Sequence, residues 1–141
     1  MIIEVRTTHL NKKSWASELS LSFIKKISHF EKIEFKIYKD EEKSLSDIED
    51  KDRVFICDEN GKDFSSTGFA GEISKLRDGG VQRLIFYIGG PFGLSDKVKK
   101  RANQSICLSS FVMNQEVALT VLMEQIFRAY TIINNHPYHN E

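Results

Sequence analysis

The chain has 141 residues and sets 20 Lys and Arg against 20 Asp and Glu, so its formal net charge is zero. That length matches one domain of roughly 100–150 residues, and 40% hydrophobic with 28% charged residues is the composition of an ordinary globular protein. No apolar run approaches the ~20 residues of a membrane span, the start MIIEVRTTHL lacks the pattern of a secretory signal, and two cysteines 50 residues apart exclude a disulfide scaffold or a zinc ribbon and point to a reducing, cytoplasmic setting.

Strand and helix patterns alternate along the chain. Residues 2–7 read as a short β-branched strand. Residues 14–30 carry Trp15, Leu19, Phe23 and Ile27 at steps of four, an apolar stripe on one helix face, with Ser14 placed to cap it. Residues 32–38 alternate Ile33, Phe35 and Ile37 with charged positions, as a half-buried strand does. Residues 39–52 are charged and hold either one helical turn around Leu45 and Ile48 or a loop. Residues 53–57 form an apolar strand that ends at Asp58, before the turn signal Asn60-Gly61. A helix over 66–78 closes at Gly79-Gly80. Residues 82–88 form the clearest buried strand, stopped by GGPFG. A basic helix over 95–103 starts at Ser95, a short strand spans 105–108, and the last helix spans 115–133. The alternation predicts one α/β domain with a mainly parallel sheet and helices on both faces.

The last helix is apolar around nearly its whole circumference, from Val117 to Ile133. Such a helix is buried on more than one side. Two covers are possible: a second copy of the chain, which predicts a symmetric homodimer, or the chain's own loops.

Several motifs bear on chemistry. Gly89-Gly90-Pro91-Phe92-Gly93 follows the strongest strand and precedes a helix, the position where open α/β sheets bind ligands. It lacks the G-x-G-x-x-G spacing of a dinucleotide site. Asp58-Glu59 also follows a strand, but Asn60-Gly61 favours a simple turn there. His136 and His139 have metal-like spacing, yet Pro137 forbids a continuing helix and no other ligand cluster exists, so no metal is expected. Glu124 and Arg128 are one helical turn apart and can pair. From Lys75 to Arg101 there are 7 Lys and Arg against Asp78 and Asp96, a local excess of 7 − 2 = 5 beside the glycine-rich loop. That excess suits a phosphate backbone. The zero total therefore averages an acidic 40–50 segment against a basic 75–101 segment.

The strand 84–88 followed by GGPFGLS, then Cys107-Leu108-Ser109, Glu124-x-x-x-Arg128-Ala129-Tyr130 and the ending His136-Pro137-Tyr138-His139 together resemble the RlmH-type ribosomal RNA methyltransferases of the SPOUT superfamily. The resemblance runs nearly the whole chain and is strongest over 84–139. It implies a homodimer with a C-terminal trefoil knot, a rare departure from unknotted topology. It implies S-adenosylmethionine as cofactor and methyl transfer to N3 of a pseudouridine in the helix 69 hairpin of large-subunit ribosomal RNA, free or in the assembled ribosome. Carried over, the cofactor site comprises Cys57, Gly89, Gly90, Leu108, Ser109, Ser110, Phe111, Val112 and Met113. The catalytic candidates are Arg128 and His139, with Tyr138 placing the base, and the tail of one subunit is expected to complete the pocket of the other.

This sequence departs from the family at the start of the last helix. Asn114, Gln115 and Leu119 stand where the family carries Pro, His and Arg. The acidic 39–52 stretch is also shorter than is usual there. Two competing readings follow: a knotted module that binds cofactor or ribosome with weakened or lost catalysis, and an unrelated flavodoxin-like nucleotide binder.

Overall fold

A computed structural model describes residues 1–140. The elements are β1 (Ile2–Thr8), α1 (Trp15–Ile27), β2 (Lys32–Tyr38), α2 (Glu41–Leu45), β3 (Arg53–Asp63), α3 (Ser66–Asp78), β4 (Arg83–Tyr87), α4 (Asp96–Arg101), β5 (Gln104–Cys107) and α5 (Gln115–Ile133). Five parallel strands lie in the order β2-β1-β4-β3-β5. Parallel neighbours require crossovers, and the helices supply them.

Side-chain alternation divides the sheet into two faces. Ile3, Val5, Leu84, Phe86 and Phe55 point to the face covered by α1, α3 and α5, which carries the larger core. Val54, Ile56, Ile85 and Tyr87 point to the other face, with Val98 of α4 and Leu45 at the end of α2. On that second face β1 also places Glu4 and Arg6, both buried. Arg6 bonds Glu4 at 2.8 Å, Asp47 at 2.8 Å and the Ser44 carbonyl. Arg83 reaches Glu4 at 3.3 Å and Asp52 at 2.5 Å. Burial of the charges is offset by this mutual pairing. The network fastens the charged segment 44–52 onto the sheet, where the sequence had offered only a helical turn or a loop.

Helix starts follow local chemistry. Ser14, Asp40, Ser65, Ser95 and Asn114 each cap a helix, accepting a hydrogen bond from a first-turn backbone N–H.

The structure corrects the sequence reading in two places. The stripe assigned to the core on α1 is partly outward: Trp15 is 53% and Leu19 40% exposed, while Ala16, Ser17 and Ser20 are buried. Small residues permit close packing of α1, and they leave no hydrophobic signal at their own period. Second, β3 does not end at Cys57. The chain makes a short excursion over Asp58–Gly61 and rejoins β5, so that Ile106 is paired by both Cys57 and Lys62. Gly61 is required there, because a Cβ would lie 2.7 Å from the Ile106 backbone nitrogen.

α5 packs against α1, α3 and the sheet. Of its apolar residues only Val117 is markedly exposed, at 39%, so its own chain covers most of the circumference. Among the described residues, no helix is long and apolar enough to cross a membrane.

Candidate cofactor cleft and C-terminal tail

The C-terminal ends of β3, β4 and β5 open onto a cleft of about 390 Å³. This lies within the range of small-molecule sites. Cys57 enters from β3, and Gly89 and Gly90 from the loop after β4. Leu108, Ser109, Phe111 and Met113 enter from the segment between β5 and α5. Ser110 and Val112, assigned to the same pocket by resemblance, do not line it, and Val112 is 81% exposed. The segment bends at Ser110 and Phe111, and Ser110 is exposed as well. Asp58, Glu59 and Lys99 line the cleft as well. The acidic pair is thus more than a turn, because the β3 excursion carries it to the cleft. The sequence signal, a turn dipeptide after a strand, could not distinguish the two.

The cleft walls are tied together by one side chain. Gln115, on the first turn of α5, donates from Nε2 to Thr7 Oγ1 at 2.9 Å and to the Thr8 carbonyl at 2.6 Å. Thr7 Oγ1 in turn donates to the Ile88 carbonyl at 2.8 Å, just before Gly89. The end of β1, the loop after β4 and the start of α5 are held by this short chain of hydrogen bonds. Gln115 thus works as a polar clamp where the resembling family carries His. Leu119, where that family carries Arg, is fully buried in the core, and Asn114 is the cap of α5.

Burial pushes the Cys57 thiol well above its ordinary range. It is a neutral wall group, since nucleophilic cysteines need a stabilised thiolate.

Arg128, Tyr138 and His139 gather elsewhere. Arg128 pairs with Glu124 at 2.8 Å and contacts His139 Nδ1 at 3.1 Å. Its guanidinium sits 4.8 Å from the centre of the Tyr138 ring, and that ring lies 4.7 Å from Phe127. The hydrogen bond to Glu124 holds the Arg128 charge firmly. None of the three lines the cleft of its own chain. Ala118 is the last cleft residue on α5, and Arg128 stands 10 residues further on, ~15 Å along the helix. His136 packs edge-on against Phe30. Among the described residues, no group of three or more His, Cys, Asp or Glu is placed to hold a metal ion.

A family model described as a predicted SPOUT methyltransferase matches residues 1–139. The chain belongs to the SPOUT methyltransferase family. Two relatives are each named ribosomal RNA large subunit methyltransferase H. The protein of Christiangramia forsetii is 38% identical over 131 residues, covering 82% of this chain and 83% of its own length. That of Bdellovibrio bacteriovorus is 37% identical over 144 residues, covering 92% of each. The fold of this chain is also seen in two solved structures. A probable methylase family protein from Haemophilus influenzae superposes with a TM-score of 0.59 at 9% identity, covering 99% of this chain and 70% of that one. A probable methyltransferase from Bordetella pertussis gives 0.56 at 11% identity, covering 92% and 93%. As a SPOUT family member, this chain is a methyltransferase.

Proposed function

We propose that this protein transfers a methyl group from S-adenosylmethionine to a base of large-subunit ribosomal RNA, at N3 of a pseudouridine. The observation that carries the reading is a small-molecule cleft at the strand ends of a SPOUT methyltransferase whose full-length relatives are named for that RNA.

The cleft fits the cofactor by the chemistry of its donors. Leu108, Met113 and Ala118 offer an apolar wall, and the Gly89 and Gly90 backbone lies open to polar contact. Asp58 and Glu59 are matched to a ligand bearing an ammonium, a sulfonium and ribose hydroxyls. When bound, the cofactor supplies a methyl group already electrophilic on sulfur. The protein's task is to align the base and to favour its anionic form. The imide proton would leave N3 to solvent, freeing that nitrogen for the methyl group the cofactor would give up in its conversion to the neutral thioether. Arg128 donates to His139 Nδ1, which fixes the orientation of the imidazole beside the guanidinium. In that arrangement the pair stabilises negative charge on the base oxygens, and Tyr138 positions the ring.

These groups lie away from their own cleft, so the reading places them at the cleft of a second copy. A homodimer is supported by the outward Trp15 and Leu19 of α1 and Val117 of α5. The trefoil knot and a cytoplasmic location belong to the same reading.

Incubation with labelled S-adenosylmethionine and large ribosomal subunits lacking the modification tests it. Label is expected on the large ribosomal RNA, and nearest-neighbour digestion places it on a pseudouridine. Cofactor-analogue binding without any transfer overturns the enzymatic reading in favour of a binding module.

A further inference from the structure

The loop after β4 ends in an exposed aromatic ring that the cofactor cleft does not use. Gly93 donates its N–H to the Gly90 carbonyl at 3.0 Å, closing a tight turn with Pro91 and Phe92 at its tip. Gly93 takes φ +77°, a left-handed conformation that favours glycine. Turn tips usually carry polar residues that solvent can reach. Here the tip is Phe92, 91% exposed. Its ring contact among the described residues is His9, edge-on at 6.2 Å. His9 is itself held at φ +55°, uncommon for a side chain larger than glycine. Pro91 and Gly93 line the cleft on either side of Phe92.

A second exposed ring stands on the facing segment. Phe111 lines the cleft yet is 83% exposed. Its backbone N–H donates to Ser109 Oγ at 3.0 Å, fixing the local turn. Lys99 and Lys100 follow on α4, exposed and without an ion-pair partner among the described residues. Two bare aromatic rings at a cleft mouth, with the Lys99 cation in the cleft lining, match the chemistry of an unstacked nucleobase and its phosphate.

We propose that Phe92 and Phe111 form a stacking platform that receives a base of the RNA substrate at the mouth of the cofactor cleft. His9 is the positioning residue behind Phe92, and Lys99 neutralises an adjoining phosphate. The proposal rests on the methyltransferase reading above and adds residues to it that contact the substrate.

The test uses the full-length protein with unmodified large ribosomal subunits. Four quantities are measured: KM and kcat for the subunits, affinity for S-adenosylhomocysteine by calorimetry, and mass by sedimentation. Phe92→Ala and Phe111→Ala are each expected to raise KM by about fivefold or more, the scale of a lost base–aromatic stack. Mass stays as in wild type in both variants, and Phe92→Ala, at a residue outside the cleft lining, also keeps the wild-type analogue affinity. Phe92→Trp restores KM and Phe92→Leu does not. Lys99→Ala lowers the salt dependence of subunit binding by about one phosphate contact.

Unchanged KM in both alanine variants overturns the proposal. So does equal rescue by Leu and Trp, which would mark plain apolar burial. A change of mass in either alanine variant overturns it too, since a second copy would then cover the rings. Failure of the wild type to transfer methyl while still binding the analogue is a failure of the enzymatic reading and takes the platform with it. Loss of the platform alone leaves wild-type transfer intact.

Discussion

Gln115 Nε2 lies 2.6 Å from the carbonyl oxygen of Thr8, joining the first turn of the last helix to the end of the first strand. Thr8 is buried, so this amide is the donor that satisfies an interior carbonyl. Gln115→Ala leaves that carbonyl without it and is expected to cost roughly 1–3 kcal/mol in chemical denaturation. Gln115→Glu is no better, because its ionised side chain offers no donor. Both variants should weaken S-adenosylhomocysteine in calorimetry, since the clamp sets the spacing of the loops around Gly89 and Met113.

Leu119 is fully buried within the core formed by α1, α5 and the sheet. Replacing it with the Arg of the resembling family puts an unpaired charge where burial is expensive. Leu119→Arg should therefore lower the thermal midpoint sharply. A variant that kept its midpoint and gained activity would show that the core there opens to accept the charge.

The shared-site reading predicts complementation between two inactive proteins. Ala118→Trp fills the cleft, and Arg128→Ala removes the charge proposed to act on the base. Each alone should lose methyl transfer, with Arg128→Ala keeping its affinity for the cofactor analogue. Mixed after co-expression, half of the dimers are heterodimers, each with one intact cleft facing one intact tail, so about a quarter of wild-type activity is expected. No recovery by the mixture, with heterodimers confirmed by mass, places the tail against its own cleft instead.

The ion network on the second face predicts loss of stability in acid. A hydrogen bond from Arg6 holds Asp47 down to about 2. Burial pushes Glu4 and Asp52 up, but their Arg and Lys partners overcome it and both end below their ordinary values. A lowered folded value means the stabilisation is complete above the unfolded value of about 4 and is lost as pH falls towards 2. Thermal midpoints should be flat from pH 7 to 5 and then drop between pH 4 and 2. Asp47→Asn should start lower at pH 7 and fall less over that acid range. Arg6→Leu leaves buried Glu4 without its closest partner and is expected to cost about 3–5 kcal/mol.

Much of this architecture is visible in local pattern. Alternating Ile33, Phe35 and Ile37, the capping serines and the long apolar run 117–133 each announce their element, because strand and helix periods are properties of neighbouring residues. The cleft residues Cys57, Gly89, Gly90, Leu108, Ser109, Phe111 and Met113 were reachable through a family resemblance. What local pattern could not carry was non-local. The pairing of β3 with β5 on both sides of an excursion depends on Gly61 meeting Ile106, 45 positions away. Glu4 and Arg6 look like the outward half of an amphipathic strand, and only the position of Asp47 and Arg83 explains why they are inside. Trp15 and Leu19 read as core because outward apolar residues have the same period as inward ones.

The order β2-β1-β4-β3-β5 sets a timetable for the cleft. Its first wall, Cys57, is synthesised early, yet the stretch from β5 to the first turns of α5, residues 104–118, supplies the opposite wall. Contacts of such wide sequence separation close late, after the loop entropy between them has been lost. A nascent chain still short of residue 104 therefore has a sheet edge at β3 and no cavity to fill. The enzyme acquires its small-molecule site only once residues 104–118 have joined the sheet, so ligand protection in a refolding experiment should appear with the slowest phase and in no earlier one.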